Sequence, residues 1–254
     1  MVFLRCGEIG AWIFRLTAAT GAVANPYGEA TAVRQRFSAA PVWLVGERHR
    51  VAAGHHLFGA LVAQTLEAGE RVQMGLEIPA DRQPALDAVL AGGAGVVAPV
   101  VIDCPSYRGL LTRLGELAGE YPGRLVVRAI DAPPGPSQER DRHMAEALGR
   151  MQAGGQRVLA LVGNLHALKA EPGRDGAVPT GLAARLEAAG VEVASLLQLG
   201  PGRAPPGQGS GVLVATAGPA TAALRDLARL VEGGAGAFED PLPTRAADAV
   251  ILRP

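Results

Sequence analysis

The sequence predicts an α/β fold: a mostly parallel central sheet flanked by helices. Three observations carry that prediction. From Pro41 onward, short runs rich in Val, Leu and Ile alternate with amphipathic stretches, as repeated strand–helix units require. Most of the runs are apolar at every position rather than at alternate ones, which suits strands buried on both faces. Glycines follow several amphipathic stretches, where a helix ends best on a residue that tolerates a left-handed backbone.

In chain order the strand-like runs are 42–46, 72–77, 96–103, 125–131, 158–163, 191–197, 211–215 and 249–252. The helical patterns between them are 53–67, 83–90, 107–120, 138–151, 181–189 and 221–232. Ser106 is placed to cap the helix beginning at Tyr107, and Ser137 the next one. Gly69, Gly92, Gly123, Gly190 and Gly233 close helical stretches. The segments 131–136 and 199–211 are rich in Gly and Pro and read as loops. Residues 39–254 form one domain on this reading. Residues 1–38 are an N-terminal extension without a readable pattern.

Charge and cysteine content exclude several functions. Lys plus Arg number 24 and so do Asp plus Glu, so a chain of zero net charge has no bulk electrostatic pull toward nucleic acid or anionic lipid. The two cysteines, Cys6 and Cys104, are too few for a disulfide framework and form no Cys-x-x-Cys metal pair. No apolar run reaches the roughly 18–20 residues of a membrane helix. Arg5 and Arg15 interrupt the apolar stretch that an export signal needs. A cytoplasmic protein with a small-molecule or peptide partner is expected, with no nucleic acid and no membrane.

The chemistry-bearing residues gather where strands end. The first run leads into Gly46-Glu47-Arg48-His49, and the second ends in Glu77. Asp103 and Asp131 end the next two, and another leads into Gly163-Asn164-Leu165-His166. In an open parallel sheet, ligands bind beyond the carboxyl ends of the strands, so these groups have a geometric reason to converge. Two of the ends share the pattern apolar run, then Gly-x-x-His; the Gly permits a sharp turn or a close backbone approach. Glu77 sits among apolar neighbours, where a carboxylate must be paired. Asp103 and Asp131 also read as loop caps. Of His55 and His56, early in the next helix, at least one reads as structural, and His143 as an exposed helix position. Arg140 has the planar fork suited to a bidentate grip on a carboxylate, and Asp141 complements the positive end of its helix.

These motifs resemble the superfamily of erythromycin esterases, ChaN-type haem-binding proteins and TIKI-type metalloproteases. The resemblance rests on Gly46-Glu47-Arg48-His49 with the His55-His56 pair, and on Glu77. It extends to Arg140-Asp141-x-x-Met144-Ala145, Gly163-Asn164-Leu165-His166-Ala167 and, more loosely, Ala247-Asp248-Ala249-Val250. It covers about residues 40–254, and the order and spacing of the motifs are more specific than any one of them.

The resemblance implies a ChaN- or erythromycin-esterase-like α/β domain and either of two functions. The first is hydrolysis or acyl transfer on an ester, lactone or amide, for example in natural-product metabolism. His49 acts as general base and Glu47 and Glu77 orient it or share its proton. His166 polarises the carbonyl or protonates the leaving group. Arg140, Asp141, Asn164 and His56 bind substrate or support these groups. Metal-free acid–base chemistry is preferred; a divalent ion held by Glu47, His49, Glu77 and His166 is the variant. No Gly-x-Ser-x-Gly elbow is present, and Cys104 is a conceivable thiol nucleophile. The second function is haem or iron binding, with Tyr107 and Tyr121 as candidate ligands. The missing lipoprotein signal and the density of carboxylates around the histidines set it second.

Overall fold

The computed structural model describes residues 25–133, 140–169, 181–199, 211–214 and 247–252. The expected helix at 221–232, the caps Ser137 and Gly233, and the loop 200–210 lie outside these residues.

The stretch from residue 25, which carried no readable pattern, forms a helix, α1 (Pro26–Phe37). Asn25 caps it by accepting the Gly28 N–H, and Pro26 occupies the first turn, where its missing donor costs nothing. The remaining elements are β1 (Val42–Glu47), α2 (Ala52–Glu67), β2 (Val72–Pro79), α3 (Gln83–Leu90), α4 (Pro105–Glu120), β3 (Leu125–Asp131), α5 (Arg140–Gln152), β4 (Arg157–Gly163), α6 (Leu182–Ala188), β5 (Val193–Leu199), β6 (Gly211–Val214) and β7 (Ala249–Leu252). Gly69, Gly92, Gly123 and Gly190 all have positive φ, as expected of helix-ending glycines.

The strands form one sheet in the order β3-β2-β4-β1-β5-β7-β6. All described pairings are parallel except the edge pair β6–β7. The apolar runs are explained by burial on both sides. Trp43 and Val45 of β1 and Leu159 and Leu161 of β4 face a core that includes Val33 and Phe37 of α1, Leu57 and Leu61 of α2, and Leu110 and Leu114 of α4. Val42, Leu44, Val158, Ala160 and Val162 face the opposite core, with Met144 and Leu148 of α5 and Leu182 and Leu186 of α6. Trp43 ties α1 to the sheet by donating its indole N–H to the carbonyls of Phe37 and Ala40, 2.8 and 2.9 Å away. No described helix is long and apolar enough to cross a membrane.

Two local expectations fail. The run 96–103 is not a strand. Pro99 lacks a donor for a ladder, and its carbonyl instead accepts the N–H groups of Ile102 (2.9 Å) and Asp103 (2.8 Å) in a turn. Val96, Val100 and Val101 are consequently exposed. Nor does Ser106 cap the next helix: α4 begins two residues earlier than the pattern suggested, at Pro105, with Cys104 at the cap.

Candidate active site

The strand order of the sheet places β4 between β2 and β1, and this brings the two Gly-x-x-His motifs and Glu77 to one point on the sheet edge. Glu47 is the last residue of β1 and pairs in register with Gly163, the last residue of β4. Glu77 lies near the end of β2 and Asp131 ends β3. All three carboxylates are at least 95 % buried.

The loop after β1 turns back through Arg50, a non-glycine residue at φ 66°, and so holds His49 over the sheet edge. His49 Nδ1 lies 3.0 Å from Glu47 Oε1. Burial pushes the Glu47 carboxyl up, but its contacts with His49 and His55 outweigh that and keep it below its ordinary value. An ionised carboxylate only accepts, so His49 Nδ1 carries the proton and Nε2 is left with the lone pair. The bond to Glu47 raises the His49 pKa above 6.5.

A second imidazole–carboxylate pair stands across Glu77. His166 Nδ1 is 2.5 Å from Asp141 Oδ1, and its Nε2 is 3.5 Å from Glu77 Oε1. Burial lowers the His166 pKa, but the bonds to Asp141 and Glu77 prevail and bring it to about 9. His166 is therefore an imidazolium at neutral pH. Glu77 is held at about 2 despite its burial, chiefly by His166 and by the Gly163 N–H, which donates to Oε2 across 2.7 Å. Arg140 completes the cluster: Nη2 donates to Glu77 Oε1 (2.6 Å) and to Asp131 Oδ2 (2.7 Å), and Nε donates to Asp131 Oδ1 (2.9 Å). The guanidinium fork bridges two buried carboxylates, as only Arg can.

The glycines of the two motifs serve each other. A Cβ on Gly46 would lie 2.7 Å from Asn164 Oδ1 and 3.0 Å from Asn164 Cα; a Cβ on Gly163 would lie 3.3 Å from His49 Nε2. Each glycine thus makes room for a side chain of the other motif. Neither has positive φ, so close approach and not a turn is the reason for both. Asn164 uses that room to staple β4 to β5: its Nδ2 donates to the Gln198 carbonyl (2.7 Å) and its Oδ1 accepts the Gln198 N–H (3.0 Å). Gly46→Ala is expected to cost about 1–3 kcal/mol, the usual cost of overpacking, because backbone at Asn164 and at Leu196 blocks the added methyl. Urea unfolding of the variant measures it.

Other expectations need correction. His56 does not support this cluster; it is exposed on α2, and its neighbour His55 is the one turned inward. Asp141 does more than complement a helix end, since it fixes the His166 ring. Asp131 does cap its own loop, accepting the Ala132 N–H, but it also grips Arg140. Asp103 belongs to a turn and pairs with exposed Arg108 rather than joining the other carboxylates. Cys104 is buried, its Sγ 3.2 Å from Ser106 Oγ. Tyr107 is enclosed with its ring edge-on to His55, and Tyr121 lies under the Arg124 guanidinium. In sequence Ser106 reads only as a helix cap and His55 only as one of a motif pair, and Gln198, whose sole signal is a polar residue within a buried run, was missed as a site neighbour.

The donor set does not fit a divalent ion. Among the described residues no three His, Cys, Asp or Glu side chains come together as a ligand group. The Arg140 cation already stands 2.6 Å from Glu77 and repels a divalent ion there.

The chain is a doubly wound α/β sheet with two histidine–carboxylate pairs set around a buried glutamate at its strand ends. The fold is shared with solved structures. A protein from Bacillus cereus matches with a TM-score of 0.62 at 11% identity, over 90% of this chain and 92% of that one. A mutant of the erythromycin esterase EreC in its open conformation matches with a TM-score of 0.62 at 12% identity, over 90% of this chain and 94% of that one. A succinoglycan biosynthesis protein matches with a TM-score of 0.57 at 8% identity, over 75% of this chain and 71% of that one. The fold is therefore the one that the motif resemblance implied. No protein-family model matches the chain. No curated protein sequence matches it either.

Proposed function

We propose that the chain is an acyl-transfer enzyme that hydrolyses an ester, lactone or amide of a small molecule or peptide. The observation that carries this reading is the contrast between the two histidines. His49 is fixed through Nδ1 by an ionised glutamate and presents the Nε2 lone pair beside Gly163, as a general base requires. His166 is held protonated across Glu77, as a general acid or an oxyanion partner requires. His49 Nε2 takes a proton from water, and the hydroxide attacks the carbonyl carbon. His166 stabilises the developing oxyanion and gives its proton to the leaving oxygen or nitrogen. Glu77 and Asp141 keep its ring in place. The fold shared with an erythromycin esterase supports the reading, and the neutral charge of the chain suits an uncharged partner.

The test is turnover on a panel of activated esters, lactones and peptide amides, with a haem titration alongside. Hydrolysis of at least one panel member is expected. A haem Soret band with no turnover across the panel sinks the proposal in favour of the haem-binding alternative. The pH profile of kcat/KM is expected to be bell-shaped. Activity rises as His49 loses its proton, above its ordinary 6.5, and falls as His166 loses its own near 9. A rate that keeps climbing beyond pH 10 contradicts the acid role of His166.

A further inference from the structure

Glu47 has two carboxylate oxygens, and only one meets His49. The other, Oε2, lies 2.8 Å from Nε2 of His55, whose side chain is fully buried; the approach is close but bent. On the far side of the ring, His55 Nδ1 is 2.8 Å from Ser106 Oγ. Ser106 and His55 line a cavity of about 550 Å³ between the start of α1, α2 and α4. Neither His49, Glu77 nor His166 borders it. We infer that Ser106, His55 and Glu47 form a second, nucleophilic site, in which Ser106 is acylated by an uncharged ester held in this cavity.

The roles follow from proton bookkeeping. Glu47 is ionised and its Oε2 stands 2.8 Å from His55 Nε2, which favours the tautomer with the ring proton on Nε2 and the lone pair on Nδ1. The Ser106 hydroxyl then donates to Nδ1. That order, nucleophile to base to orienting carboxylate, is what activation of a serine needs, and bent contacts of this kind tighten when substrate arrives. Ser106 Oγ attacks the ester carbonyl carbon while its proton passes to His55 Nδ1. The bond to the leaving alcohol breaks, and His55 returns the proton to that oxygen. Water then attacks the acyl-serine ester and gives a proton to His55. The acid is released as Ser106 Oγ takes that proton back. The N–H groups of Ser106 and Tyr107 precede the first α4 bond, from Arg108 N–H to the Cys104 carbonyl, so the helix itself does not use them.

The cavity sets the substrate class. Pro26, Gly59, Ala60, Ala63 and Leu110 give it apolar walls, and the small residues of α2 make the room. Arg113, the cation on its border, is already paired with Glu116 and Glu120 at 3.0 and 2.8 Å. Arg113 thus offers no free charge to a substrate carboxylate, and a neutral acyl group suits the apolar walls.

The experiment is covalent labelling of the full chain with an alkyl fluorophosphonate, read by intact mass and peptide mapping. One adduct per chain is expected, on Ser106, absent from Ser106→Ala and formed at least ~100-fold more slowly in His55→Gln. No adduct, an adduct on another residue, or His55→Gln labelled at the unaltered rate overturns the inference. The map of the unaltered chain locates the nucleophile even where a variant misfolds. This site goes beyond the proposed His49 chemistry, and the label reports on Ser106 whether or not that chemistry occurs.

Discussion

Replacing His49 with Ala in a Ser106→Ala background is expected to lower kcat/KM by ~10²–10⁴-fold on an ester, lactone or amide that this background hydrolyses, the range over which a positioned general base contributes. The fold should survive. The His49 side chain is 33% exposed and packs on a glycine, and Glu47 keeps His55 beside its other oxygen. The stability loss should be about 1–3 kcal/mol, because buried Glu47 gives up its hydrogen bond at Oε1. Steady-state kinetics and urea unfolding on the same preparation separate the two effects. Turnover within threefold of the Ser106→Ala background removes His49 from the mechanism. A loss of activity matched by a loss of fold removes the argument that the residue acts through its Nε2.

Arg140→Met should have the largest effect on stability. The side chains have similar length, but the thioether donates nothing, so Glu77 and Asp131 lose the cation that bridges them while both stay buried. Breaking a fully buried ion pair from one side costs about 3–5 kcal/mol. The guanidinium here is about a third exposed, which discounts the figure to roughly 2–4 kcal/mol. Arg140→Lys should recover only part of this, because one ammonium cannot reproduce the fork that spans two carboxylates. Chemical denaturation at pH 7 tests both variants. A loss under 1 kcal/mol in Arg140→Met means that water replaces the bridge.

The two predictions differ in how far they were visible beforehand. Glu47, His49, Glu77 and His166 stood out because each polar residue follows a run that burial on both faces makes apolar. A carboxylate or imidazole at such a junction costs free energy to bury unless it is paired, which marks it for a site. Arg140 stood out by its charge beside Asp141, but its second partner, Asp131, did not, since Asp131 also reads as a loop cap. His55 and His56 were indistinguishable in sequence. They are neighbours on α2, a helix buried over most of its surface, and only the position of α4 decides which one turns toward Ser106 and Glu47. The run 96–103 misled for a related reason: its valines have strand-like character, but Pro99 diverts the backbone into a turn and leaves them in solvent.

By itself, then, the sequence marked all seven described strands of the sheet together with one false run, most of the described helices and the carboxyl-end location of the catalytic candidates. Those depend on local patterns, on which residues can be buried and where a helix must stop. Only the tertiary structure decided who meets whom. The insertion of β4 between β2 and β1 seats Asn164 against Gly46 and His49 against Gly163, and sets Glu77 between two imidazoles. Residues more than a hundred positions apart are joined by strand order. That order is chosen by the packing of the whole sheet against two helical layers, which no single segment encodes.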